Sequence, residues 1–84
     1  MSLKVAYNPF EAFVKRGDAY VEKPGVVNGI EFDDATVALK RHVISQLHDE
    51  ELALKLNRLG ELIRKQHNEE IPALFEEIRG SYSG

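Results

Sequence analysis

The sequence predicts a small α+β domain that is mostly helical. A short N-terminal helix and a β-hairpin or ribbon (about 3–32) pack on three C-terminal helices (about 34–47, 49–66 and 69–79). Strand-forming residues and turn formers are concentrated before residue 33, whereas apolar residues after it recur at helical spacing. The chain of 84 residues contains no cysteine, so packing or oligomerisation, rather than disulfides, is expected to stabilise it.

A short strand and a short helix are expected first. Apolar residues alternate with polar or small ones at the start of the chain, which indicates a strand containing Leu3, Val5 and Tyr7. Asn8 then stands where a helix cap is expected, because Pro9 suits the first helical position and Glu11 completes a capping box. Gly17 predicts the end of this helix.

Residues 19–32 are expected to form the ribbon. Tyr20 and Val21 favour a strand, and Pro24-Gly25 is typical of a turn. Asn28-Gly29 is the strongest hairpin signal in the chain, because both residues accept positive φ. The two turns compete, so the strand register stays open, and a ribbon of this size needs a helix layer to be stable.

From Asp33 onward the apolar residues follow helical spacing. Asp33 or Asp34 is expected to cap the helix at 34–47, and Asp49 is expected to cap the helix at 49–66. The second of these helices carries one apolar stripe, formed by Leu52, Leu56, Leu59 and Ile63. This stripe predicts a single buried face.

The last helix, at 69–79, has the most regular pattern. Pro72 is compatible with a helix because it falls in the first turn, and Gly80 is expected to end the helix. A buried stripe at positions i, i+3, i+4 and i+7 is formed by Ile71, Leu74, Phe75 and Ile78. The chain is expected to be one domain over 1–84, with a frayed tail at 81–84.

Leu54 does not fit the buried stripe of the helix at 49–66. At 100° per residue, Leu54 lies roughly 160–180° from every member of that stripe. Either this helix is covered on two sides, or Leu54 contacts a partner, or it is a lone surface leucine of the kind common on monomers. On the preceding helix, Val37 and Ile44 also lie opposite the main stripe, and a central position between the ribbon and the later helices explains them. We predict a partner-binding face formed by Leu54, Arg58, Glu61 and Lys65.

The sequence carries no catalytic or metal-binding motif. His42 and His48 are six positions apart, roughly 120° on a helix, whereas a helical zinc pair needs positions i and i+4. Acidic pairs such as Glu50-Glu51 stand at predicted helix starts, where the helix dipole favours negative charge. No phosphate-binding glycine loop and no Gly-x-Ser-x-Gly sequence occurs. We expect no enzyme activity, no cofactor, no metal and no small-molecule substrate.

These observations favour a non-enzymatic protein-interaction or oligomerisation module, such as a small adaptor or accessory protein of the phage or plasmid type. Its partner is expected to be another protein or a second copy of the chain, with a dimer as the simplest assembly. No signal peptide and no run of about 18 apolar residues is visible, so we expect no membrane association and a cytoplasmic location.

A helix-turn-helix-like DNA-binding or transcription-regulatory protein is the alternative, since a very short turn joins the helices at 35–47 and 49–66. The net charge of −3 comes from residues 49–79, and an excess of acids repels phosphate backbones. The second helix also begins with acids, at Asp49, Glu50 and Glu51. Nucleic-acid binding is therefore the less favoured function.

Overall fold

The computed structural model describes residues 8–82, which fold into a compact helical bundle. The elements are α1 (Pro9–Glu22), α2 (Val26–His42), a π-helical segment that continues α2 (Val43–Leu47), α3 (Glu50–Lys65) and α4 (Ile71–Ser81). Within this range there is no strand, so the prediction of an α+β fold with a β-hairpin is wrong. The strand predicted around Leu3, Val5 and Tyr7 lies outside the described residues.

Successive helices run antiparallel. Asp33 of α2 pairs with Arg64 of α3, and Lys40 of α2 donates to Asn57 of α3. Contacts that move forward along α2, from residue 33 to residue 40, therefore move backward along α3, from residue 64 to residue 57, so these two helices are antiparallel. Each helix packs against the next in the chain, and α4 returns to pack against α1. The topology is that of an up-and-down bundle of four helices.

Residues 19–32 form the end of α1, a turn and the start of α2, instead of the predicted ribbon. Pro24 and Gly25 form the turn, as expected. Asn28-Gly29 does not turn the chain, since both residues lie inside α2. The Asn28 amide instead caps the end of α1 by donating to the carbonyl oxygen of Lys23 at 2.8 Å. Gly29 lies against Tyr20, where an added Cβ would be 3.3 Å from the Tyr20 ring. Tertiary packing overrides the strand propensity of this segment.

Three phenylalanine rings from three helices form the centre of the core. Phe13, Phe32 and Phe75 are each at most 1% exposed, and their ring centroids lie between 5.2 and 5.6 Å apart. Gly17 faces this cluster: an added Cβ would lie 3.0 Å from Cε1 of Phe32 and closer still to the Phe75 ring. The prediction that Gly17 ends α1 is wrong, because this glycine allows close helix packing in the middle of the helix.

The predicted helix caps are confirmed at two of the positions and wrong at a third. The Asn8 side chain accepts from the backbone N–H of Phe10 at 3.0 Å, and that of Asp49 accepts from Leu52 at 3.1 Å. Both therefore begin helices as expected. Asp33 and Asp34 instead lie inside α2, because this helix begins at Val26.

The apolar stripes predicted for α3 and α4 are confirmed. Ile71, Phe75 and Ile78 are buried, and Leu74 packs against the core while partly exposed. The helix spans Ile71–Ser81, so it begins and ends two residues later than predicted, and Gly80 does not end it. The α3 stripe is also buried, at Leu52, Leu56, Leu59 and Ile63.

Candidate interaction surface

Exposed apolar side chains are concentrated at the start of α2. The large apolar residues of the described chain that are at least 40% exposed are Val21, Val26, Val27, Ile30, Ile44 and Leu54. Three of them fall within five residues: Val26 is 71% exposed, Val27 is 67% and Ile30 is 58%. We call Val26, Val27 and Ile30 the corner patch, because they follow the turn from α1 into α2.

The backbone of the corner patch is held firmly by the end of α1. The amide of Asn28 ties the turn through its bond to Lys23, and Gly29 rests against Tyr20. Val26 and Ile30 are one helical turn apart, so they share a face. The patch is therefore presented by a regular helix whose opposite side is packed, which fixes its shape before any contact is made.

A groove of about 370 Å³ lies beside the corner patch, between the N-terminal half of α2 and the C-terminal end of α3. Val26 and Ile30 form its wall on α2, and Arg64 lines it from α3. Tyr20 and Ile63 are 4% and 5% exposed, so they form its floor. The corner patch and the groove are thus adjacent, and the side chains of Val26 and Ile30 belong to both.

Four of the polar side chains around the groove are paired within the chain. Arg64 lies 3.0 Å from Asp33, and the Tyr20 hydroxyl donates to the side-chain oxygen of Asn68 at 2.5 Å. Burial raises the pKa of Tyr20 above its ordinary value, so its hydroxyl is neutral at physiological pH. The groove is therefore lined by apolar surface, by uncharged polar groups and by one ion pair, without net charge.

The four residues of the predicted partner-binding face lie on the solvent side of α3. Leu54 is 69% exposed, and Arg58, Glu61 and Lys65 are exposed as well. Leu54 is not covered by a second layer, which leaves a partner contact or a lone surface leucine as the explanation of its position. Arg58 reaches Glu70 at 3.4 Å, before α4 begins. Leu54 is thus an isolated apolar side chain among charged ones.

Val37 and Ile44, which lie opposite the main stripe of the helix predicted at 34–47, have different environments in the structure. Val37 is half-buried and lines a small cavity of about 40 Å³ against α3, whereas Ile44 in the π-helical segment is 52% exposed. Helix α2 does occupy a central position, but between α1 and α3 and not beneath a ribbon. Central packing therefore accounts for Val37 and leaves Ile44 at the surface.

Residues 8–82 bring together no group of three or more His, Cys, Asp or Glu side chains that could hold a metal ion. Every buried side-chain nitrogen or oxygen in this range has a hydrogen-bond partner. On α3, the hydrogen bond between Lys55 and Glu77 raises the pKa of Lys55 above its ordinary value. The corner patch is the one place in the described residues where three large, mostly exposed apolar side chains fall within five positions.

Sequence reasoning missed the corner patch because it placed Val26, Val27 and Ile30 in a strand. If the segment is read as a helix from Val26, these residues fall away from the stripe that contains Phe32 and Leu39. This angular separation would have predicted an exposed apolar patch from the sequence. It can be recognised only if the segment is known to be helical.

Comparisons with family models, curated proteins and solved structures find no match for this chain. Among the described helices, none combines the length and the apolar character needed to cross a membrane.

Proposed function

We propose that this chain is a non-enzymatic protein-interaction module that binds a protein through the corner patch. The observation that carries the proposal is the exposure of Val26, Val27 and Ile30 side by side within the first five residues of α2. Single exposed apolar residues are common on monomers, whereas contiguous apolar patches are typical of interaction sites.

The corner patch provides part of the free energy that a specific contact needs. Completing the burial of a Val or Ile side chain that is about two-thirds exposed contributes about 1–2 kcal/mol. Three such side chains contribute about 3–6 kcal/mol before the entropic cost of association. Because α2 is already ordered by its packing on α1, little of this is spent on ordering the surface.

The Leu54 face is the second candidate contact. Its support is the exposure of Leu54, at 69%, next to charged residues that could form the rim of an interface. It provides one apolar side chain, compared with three in the corner patch. We therefore rank it second.

The DNA-binding alternative has less support. Helices of a helix-turn-helix cross at about 90–120°, whereas α2 and α3 form an antiparallel hairpin with contacts along both helices. Three basic residues of α3 are paired with acids, since Lys55 reaches Glu77 and Arg58 and Arg64 make the pairs already described. Phosphate contacts from these side chains would require those pairs to break.

The test compares matched variants of the two candidate surfaces. Wild-type protein, Ile30→Glu and Leu54→Glu are immobilised and exposed to a lysate of the cells that make the protein. Retained proteins are identified by mass spectrometry, purified and titrated against each variant by calorimetry. We expect Ile30→Glu to weaken binding at least about tenfold and Leu54→Glu to leave it unchanged, with circular dichroism confirming that both variants fold.

Two results would contradict the proposal. A partner that binds Ile30→Glu normally but is lost with Leu54→Glu would move the contact to the Leu54 face. If the immobilised wild-type chain retains no protein and also does not associate with itself, the proposal of a protein-interaction module is wrong.

A further inference from the structure

We draw no further inference here: the strongest candidate, the groove of about 370 Å³ between the start of α2 and the end of α3, belongs to the surface already described, and nothing in the structure shows what covers it.

Discussion

Replacing Gly17 with alanine tests whether the core depends on a missing side chain in the middle of α1. The new Cβ would lie 3.0 Å from Cε1 of Phe32 and closer still to Cε1 and Cζ of Phe75. Carbon atoms in contact prefer a separation of about 3.5–4.0 Å. The Phe75 ring would therefore have to move by roughly 1 Å, or α1 would have to move away from α4 by a similar distance.

The magnitude follows from two opposing terms. Alanine is favoured over glycine in a helix interior by about 1 kcal/mol, while forcing extra atoms into a packed core costs about 1–3 kcal/mol and occasionally more. The packing cost at this site is at the upper end, because Phe75 is 1% exposed and is packed against both Phe13 and Phe32. We expect Gly17→Ala to lower the free energy of unfolding by about 2 kcal/mol.

Gly80→Ala is the matched control. This glycine also lies in a helix, but an added Cβ would meet no atom within 4 Å, so the propensity term acts alone and is expected to raise stability by a few tenths of a kcal/mol to about 1 kcal/mol. Urea unfolding followed by circular dichroism measures both variants. A Gly17→Ala protein as stable as the wild type, or one that changes in the same direction as Gly80→Ala, would refute the packing argument.

Two further predictions concern a helix cap and a buried hydroxyl. Asp49→Ala removes the side-chain acceptor for the backbone N–H of Leu52 and is expected to lower the free energy of unfolding by about 1 kcal/mol, whereas Asp49→Asn should keep most of it. Urea midpoints near neutral pH decide this, and an alanine variant equal to the wild type would exclude the cap. Burial raises the pKa of Tyr20, so its contribution to stability is fully present below the unfolded pKa of about 10 and is lost as the pH rises through the higher folded pKa. Tyr20→Phe should therefore flatten the fall in urea midpoint above about pH 10, and an unchanged alkaline slope would contradict the assignment.

The signals that predicted structure correctly are local ones. Asn8 and Asp49 act on backbone N–H groups two or three residues away, so their effect can be read from short stretches of sequence. The stripe of α4 repeats at helical spacing over two turns, which is enough to define its buried face. In both cases the interactions that decide the conformation lie within the segment itself.

The signals that misled are those whose outcome depends on distant residues. Tyr20, Val21 and Asn28-Gly29 favour a hairpin locally, yet Tyr20 is 4% exposed in a helix and bonds to Asn68, forty-eight positions away. Gly17 resembles a helix end until the Phe75 ring is placed beside it. Neither contact can be read from the neighbouring residues, because each depends on how the helices pack.

The sequence by itself determined the helical stripes of α3 and α4, two helix caps, the lack of cysteine and the excess of acids after residue 48. It also identified Leu54 as an apolar residue with no place in the buried stripe, and Leu54 is indeed exposed. Only the tertiary structure decided that residues 26–32 are helical and that Val26, Val27 and Ile30 face outward beside a groove. The physical reason is that the helical conformation buries Tyr20 and Phe32 against other helices. The free energy gained by this burial depends on distant residues and exceeds the local preference for a strand.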